Sequence, residues 1–526
     1  METACLRQTE IPHTSRLFSD FQYHFDRLAG FYRYSPTDPT SYEKAAQAIQ
    51  YPEERRAKLV KALRARNGDS AALDRLARPD TLAVVTGQQV GLFSGPSYTV
   101  YKALTAIHLS EQLNAQGIPA VPIFWLATED HDFAEVNHSF VFDGGHQHVA
   151  LRVNGTSGAN QRPVGLISVV DPPVAALREA LAAFPFANEV VAMVEHAYRP
   201  GTTFGAAFQN LLKHVLGDRG LLFIDPLDPL IRELAAPLLR DAVLQGASLN
   251  RELLERNKAL ESAGYHAQVH VEPQTSLVFL LEGDRRITLR RQNGDYAAKE
   301  RRFTTSELAD LAEHLSPNAL LRPVVQDYLL PTVAYVGGPA ELAYIAQSRV
   351  IYDDLLGRMP VAVARGGFTL LDARTSKLME RYGLSLTAFF HGEEGLREFI
   401  ARKLVPPELV CEFEQVRGAT ASSLDHLKHD ITAFDPTLAA ALEKSRAKIL
   451  HQLSKMEQKT ARETLRRNER AAADAQYMAG LVFPEKHLQE RYYSILPFIA
   501  KHGPGLIDTL YEHVSLDCPD HKVLVV

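Results

Sequence analysis

Short apolar runs, each closed by a polar or glycine-rich turn and followed by a helical pattern, recur along the chain as far as Leu371. Leu82-Ala-Val-Val85 leads into Thr86-Gly-Gln-Gln-Val-Gly-Leu-Phe-Ser-Gly-Pro96, and Ala120-Val-Pro-Ile-Phe-Trp-Leu126 leads into Ala127-Thr-Glu-Asp-His-Asp132. Gly220–Pro226, Leu330–Tyr344 and Met359–Leu371 read as further core strands with their turns. Repeated strand-turn-helix units build a parallel α/β sheet, whose ligands sit beyond the carboxyl ends of the strands. Chemistry is expected where polar residues crowd those ends.

Other periodicities interrupt this one. His148–Val153 and Val164–Val169 alternate as short strands around an Asn154-Gly155 turn, and Ser276–Leu281 and Arg286–Leu289 do so again before Asn293-Gly294. They predict antiparallel insertions laid against the parallel core. Residues 1 to about 75 are helical in pattern, clearest from Tyr42 to Arg66. Leu424, Leu427, Ile431 and Phe434 keep a 3,4 spacing that Leu442, Ile449, Leu453 and Met456 resume after Asp435-Pro436, a helix restart with Asp as cap and Pro at the first helical position. The pattern predicts two long helices in an antiparallel hairpin. The fold expected is therefore α/β: a Rossmann-like core over 1–380 with β-rich insertions near 140–200 and 265–315. A helical coiled-coil domain over 381–475 follows, and a segment over 476–526 packs back on the core.

Composition narrows the class. The 526 residues carry a formal net charge of −6, which gives no general attraction to nucleic acid or anionic membrane. Cys5, Cys411 and Cys518 are too few and too scattered for a disulfide framework or zinc cluster, and no apolar stretch approaches the roughly 20 residues of a membrane span. Met1-Glu-Thr-Ala-Cys-Leu-Arg7 lacks a basic segment followed by an apolar one, so no secretory leader is expected. A cytoplasmic globular protein is the expectation.

Three turns carry candidate chemistry. The first has neither G-x-G-x-x-G nor a Walker A ending, but Gly87, Gly91 and Gly95 would let backbone approach a ligand, with Gln88, Gln89, Ser94 and Tyr98 beside them. Pro96 opens a helix whose N-terminus favours phosphate or carboxylate. Lys102, two turns on, is either a second anion contact or a surface lysine. At the second turn Glu129, Asp130, His131 and Asp132 crowd together, preceded by Trp125 and followed by Glu135 and His138. His131, Glu135 and His138 would share one helix face if the helix starts near Asp132. Asp130, His131 and His138 are the catalytic candidates, as acids and bases. A three-ligand metal set on His131, Glu135 and His138 is the rival, without H-E-x-x-H spacing to support it, and a capping Asp with surface histidines is the bland alternative. At the third turn Gly337 and Gly338 precede Pro339, and Glu341, Tyr344 and Gln347 follow at helical spacing; Arg365 could supply a fixed cation for a carboxylate.

Thr86–Pro96, Phe124-Trp-Leu-Ala-Thr-Glu-Asp-His-Asp-Phe133, Gly337–Tyr344 and Gln489-Glu-Arg-Tyr-Tyr-Ser-Ile-Leu-Pro-Phe498 together resemble the bacterial cysteine-adding ligase family of bacillithiol biosynthesis. The resemblance covers essentially the whole chain. It implies addition of cysteine to glucosaminyl-malate, a Rossmann-like core with connecting-peptide insertions, and a coiled coil supporting a homodimer. No tightly bound cofactor or metal is implied. An amide-forming ligase must activate a carboxyl, most simply with ATP or another nucleotide as co-substrate, yet there is no clear lysine-rich K-M-S-K-S loop, and Arg374-Thr-Ser-Lys377 is a faint echo. Against a ligase stand a metal-assisted hydrolase or transferase, and a non-catalytic assembly protein using the hairpin.

Overall fold

The computed structural model describes residues 3–154, 161–299 and 301–526. The chain divides into two compact units. One comprises residues 1–144, 148–369 and 490–524; the other comprises 145–147, 370–489 and 525–526. The strands are β1 (Thr3–Leu6), β2 (Leu82–Gln89), β3 (Ala120–Ala127), β4 (His138–Phe142), β5 (His148–Arg152), β6 (Leu222–Ile224), β7 (Thr275–Glu282), β8 (Arg285–Gln292), β9 (Asp295–Ala298), β10 (Arg301–Phe303), β11 (Leu315–Pro317), β12 (Thr332–Gly337), β13 (Val361–Ala364), β14 (Phe368–Leu371) and β15 (His521–Val525).

The first unit is built on a parallel sheet in the order β13-β12-β2-β3-β6. Its strands read as continuous apolar runs because helices cover both faces. Leu82, Val84, Val336 and Val363 pack on one side with Leu109 and Leu113 of the helix Tyr98–Ala115. Val85, Ile123, Trp125 and Tyr335 point into the larger core on the other side. The strands β2 and β3 approach so closely that a methyl on Gly87 would lie 2.7 Å from the Trp125 carbonyl oxygen, which requires glycine there.

The second insertion is the antiparallel sheet β10-β9-β8-β7-β11. The first is less β-rich than its alternation suggested. It holds the hairpin β4–β5 and then the helices Val174–Leu181, Ala187–Ala197 and Phe204–Leu216. The turn expected at Asn154-Gly155 extends outside the described residues. Val164–Val169 is not a hairpin strand; it opens with a short 3-10 turn. Its amides are used elsewhere: Val164 N–H donates to Asp130 O at 2.6 Å and Gly165 N–H to Thr128 O at 3.0 Å, so the segment braces the loop after β3. The helical stretch from Tyr42 to Arg66 is two helices, Thr40–Gln47 and Glu53–Asn67, because Pro52 starts the second. The short β1, which had no signal of its own, pairs antiparallel with β15.

The second unit is helical. Pro407–Phe434 and Pro436–Arg466 run antiparallel, with ion pairs Arg417–Glu457, Asp425–Arg446 and Lys428–Glu443 as successive rungs. Asp435 caps the second helix, its carboxylate accepting Thr437 N–H at 2.8 Å. The helix Pro407–Phe434 buries no residue fully, and Leu427, Phe434, Ile449 and Met456 stay exposed.

Candidate active site

A cavity of about 580 Å³ opens beyond the carboxyl ends of β2, β3 and β12. Its floor is the strand ends, with Gly87, Gln88 and Gln89 from β2 and Trp125 from β3. Glu129, Asp130 and His131 come from the loop after β3, and Tyr98 and Lys102 from the helix Tyr98–Ala115. The third turn adds Gly338, Glu341 and Tyr344, and the end of β13 leads to Arg365. Residues from all three sequence turns thus meet in one place.

Two adjacent carboxyls are driven apart. Burial pushes Glu129 up to about 7, against the opposing pull of Arg286 and of Arg232, whose Nη1 lies 3.6 Å away. Burial would raise Asp130 too, but it is outweighed: Gln89 Nε2 donates to Oδ2 at 2.7 Å, Arg286 lies 3.6 Å from Oδ1, and His131 N–H donates to Oδ1 at 2.7 Å. Asp130 therefore stays ionised below the usual carboxylate range while Glu129 titrates near neutrality. Separation of this kind assigns roles: a fixed charge beside a group able to take and return a proton. His131 is held below its ordinary value by burial and by Arg286, whose Nη1 sits 3.3 Å from Nδ1, so its neutral form is favoured near pH 7.

Lys102 is neither exposed nor free. Its ammonium donates to Gly87 O at 2.7 Å and Gln88 Oε1 at 2.9 Å, and it pairs with Glu341. Burial lowers it to about 8 although Glu341 resists. Glu341 also accepts Tyr335 O–H at 2.7 Å and Gly338 N–H at 2.8 Å, so it is spent on cap and counter-charge together. Arg365 is likewise engaged, by Glu490. The cation for a substrate carboxylate must come from elsewhere.

Other predicted residues lie outside the cavity lining. Gly91, Ser94 and Gly95 form a buried turn in which Phe93 and Ser94 adopt left-handed backbone and Gly95 has φ +63°. Phe93 N–H donates to Tyr198 Oη at 2.8 Å, and Ser97 N–H and Oγ–H donate to Tyr493 O at 2.8 and 2.7 Å. The groups expected to meet an anion at this helix start are met by tyrosines instead. Asp132 caps the four-residue helix Phe133–Val136, accepting Glu135 N–H. The Glu135 carboxylate accepts from Gln89 Nε2 at 2.6 Å, its one hydrogen bond among the described residues. His138 begins β4, its Nδ1 3.1 Å from Ala134 O, so His131, Glu135 and His138 do not share a helix face. Among the described residues no three His, Cys, Asp or Glu side chains are placed to hold a metal ion. Gly337 ends β12, its carbonyl accepting Arg365 N–H at 3.0 Å. Gln347 is buried, bonded to Val269 and Asn257.

Sequence reasoning missed three arginines that line the cavity. Arg286 of β8 is fixed by Ser316 and Pro317 and stacks over Phe279 at 3.9 Å. Arg322 opens the helix Arg322–Leu329 and donates to Tyr344 Oη at 2.5 Å. Arg491 is exposed and makes no hydrogen bond among the described residues. Only Arg491 carried a signal, since it stands in the Gln489–Phe498 motif.

The bacillithiol biosynthesis BshC N-terminal Rossmann-like domain matches residues 1–366, and the C-terminal coiled-coil domain of the same family matches residues 368–526. The chain is 54% identical to a protein of Solibacter usitatus named "Putative cysteine ligase BshC", with 100% of both chains covered. A protein of the same name from Koribacter versatilis is 36% identical over 99% of each chain, and one from Salinibacter ruber is 33% identical over 97% of this chain and 96% of its own. With both domains matched, in this order and over nearly every residue, the chain belongs to the BshC family of bacillithiol biosynthesis.

Proposed function

We propose that the chain is a cysteine ligase that joins the carboxyl of cysteine to the amine of glucosaminyl-malate, the last step of bacillithiol biosynthesis. The observation that carries the reading is a cavity at the sheet's carboxyl end whose lining holds both Glu129, poised near pH 7, and Arg491, whose side chain makes no hydrogen bond among the described residues. Its volume suits a ligand of drug-like size. The malate carboxylates suit Arg491 and the flanks of Arg286 and Arg322, and the ionised Asp130 suits the substrate's ammonium. Amide formation from a free carboxylate is uphill, so a nucleotide, ATP being the simplest, activates the cysteine carboxyl. The sugar amine attacks, the activating phosphate leaves, and Glu129 accepts the proton the amine gives up.

Full-length protein given cysteine, glucosaminyl-malate and ATP should form bacillithiol, detected by mass spectrometry. Failure with every nucleoside triphosphate, together with failure to rescue a strain lacking the last step, would overturn the assignment. The names of the relatives, which call them cysteine ligases, support this reading.

The reading extends to a cytoplasmic homodimer held by the helical hairpin. No helix among the described residues is long and apolar enough to cross a membrane. Exposed Leu409, Val416, Leu427 and Phe434 on one helix, and Leu438, Ile449 and Met456 on the other, recur at steps of seven and eleven, leaving apolar stripes for a second copy. Sedimentation of a chain lacking residues 407–466 should show monomers; a persisting dimer would move the interface elsewhere.

A further inference from the structure

Two arginines from different elements approach Glu129, and only one of them can meet a ligand. Arg286 lines the large cavity and is shared, lying 3.6 Å from Asp130 Oδ1 and 3.3 Å from His131 Nδ1. Arg232 does not line that cavity. It closes the first turn of the helix Pro229–Leu244, its N–H donating to Asp228 O at 3.0 Å, where the chain leaves the carboxyl end of β6. Since β6 pairs with β3, this turn stands beside the loop that carries Glu129. Arg232 Nη1 lies 3.6 Å from Glu129 Oε1 and makes no hydrogen bond among the described residues, while Nη2 donates to Glu313 O. The two side chains are only 16% and 10% exposed. Arg232 lines a second cavity of about 10 Å³, which shares Trp125, Glu129 and Pro317 with the large one. That volume has room for no more than a group the size of a water.

From this geometry we infer that Arg232 is a positioning residue for the ligation, a counter-charge dedicated to Glu129 and held on the side that substrate does not reach. The inference rests on Glu129 as the proton acceptor of the reaction proposed above. Burial opposes the ionised form of a carboxyl, and an opposite charge within about 4–6 Å favours it. Three charged groups face Glu129 from the elements around it: Arg286 of β8, Arg232 of the helix Pro229–Leu244 and Asp225 after β6, with Asp130 and His131 following on its own loop. Asp225 already has a cation of its own, since Arg66 Nη2 donates to its Oδ2 at 2.7 Å. Arg286 is open to the anionic groups of a bound substrate, which would draw its charge away from Glu129. Arg232 keeps its charge on Glu129 whether the large cavity is filled or not. It therefore keeps the base within reach of neutral pH through the whole cycle, acting through Glu129 and touching no reacting atom.

The test is the pH titration of the Glu129 carboxyl in the full-length protein, read as the infrared band that Glu129→Gln removes, beside the pH dependence of kcat/KM. In Arg232→Met the proton affinity of Glu129 should rise roughly tenfold or more, so that its midpoint moves to about 8 or beyond. Activity lost at about pH 7 should return at about pH 9, a recovery that a structural loss would not show. Arg232→Lys, which keeps the charge, should stay near wild type in both readings. Arg232→Gln, which leaves an amide donor for Glu313 O, is the second uncharged variant should the methionine one not fold, and it should move the midpoint in the same direction. An unmoved carboxyl midpoint in a folded, uncharged variant would overturn the role of Arg232. A midpoint that moves while the kcat/KM limb stays in place would uphold the counter-charge and overturn Glu129 as the base.

Discussion

Arg365 and Glu490 form a doubly bonded ion pair: Nη1 donates to Oε2 at 3.0 Å and Nη2 to Oε1 at 2.5 Å, with side chains only 6% and 4% exposed. Glu490 Oε2 also accepts Phe368 N–H at 3.0 Å, which anchors the backbone beyond β13. The pair therefore organises one wall of the cavity and is not available to a ligand. Removing one partner strands a buried charge, so Glu490→Gln should cost about 3–5 kcal/mol in denaturant unfolding. Replacing both by apolar residues should recover much of that loss. Equal destabilisation by the single and double variants would show that the charge was not the issue.

Glu129 sets a pH signature of both stability and rate. Folded, it keeps its proton up to about 7, whereas a freely solvated glutamate carboxyl releases it at 4.5. Between these values the folded state binds more protons than the unfolded, so its contribution to stability falls as pH rises. The deficit, on the order of 3 kcal/mol, is fully present only above about pH 7. Glu129→Gln should thus gain melting temperature relative to wild type between pH 5 and 8. Its activity should drop roughly 10²–10⁴-fold. Wild-type kcat/KM should climb with pH through about 7 as the base ionises. A stability difference that stays flat over that range would contradict the burial argument.

Arg491 and His138 make a contrasting pair. Arg491 lines the cavity and its side chain makes no hydrogen bond among the described residues, so Arg491→Ala should leave the melting temperature nearly unchanged. It should raise KM for the malate-bearing substrate roughly tenfold or more, the scale of a lost charged hydrogen bond. His138, outside the lining at the start of β4, should tolerate alanine with activity within a few-fold of wild type. Steady-state kinetics of both variants, with His131→Ala alongside, separates the residues at the cavity from those near it only in sequence.

Gly95 now predicts a folding defect. With φ +63° and ψ −160° it occupies a backbone region that alanine avoids, and Gly91 packs so close that a methyl on it would meet Gly95 Cα at 3.0 Å. Gly95→Ala should cost about 1–3 kcal/mol, visible as a lowered melting temperature. Ligand affinity of the remaining folded protein should be retained, because the turn does not line the cavity. Calorimetry showing lost affinity at unchanged melting temperature would return this turn to the binding site.

Local information determined the parallel core and the hairpin. Apolar runs such as Ala120–Leu126 declare a doubly covered strand whatever lies elsewhere, and Asp435-Pro436 restarts a helix through its own cap. The carboxyl end of the sheet was legible for the same reason, which is why Glu129, Asp130 and Lys102 were found. Their roles were not. Whether a lysine is surface or buried, and which of two adjacent carboxyls titrates near 7, depends on what the rest of the chain packs around them. Arg286 arrives from an inserted sheet and Arg491 from near the C-terminus, so neither could be joined to Asp130 by spacing. Val164–Val169 alternates like a strand, yet the backbone groups of Thr128 and Asp130 took its amides first. Periodicity records which face of a segment is apolar; only the tertiary structure decides which partners satisfy its polar groups.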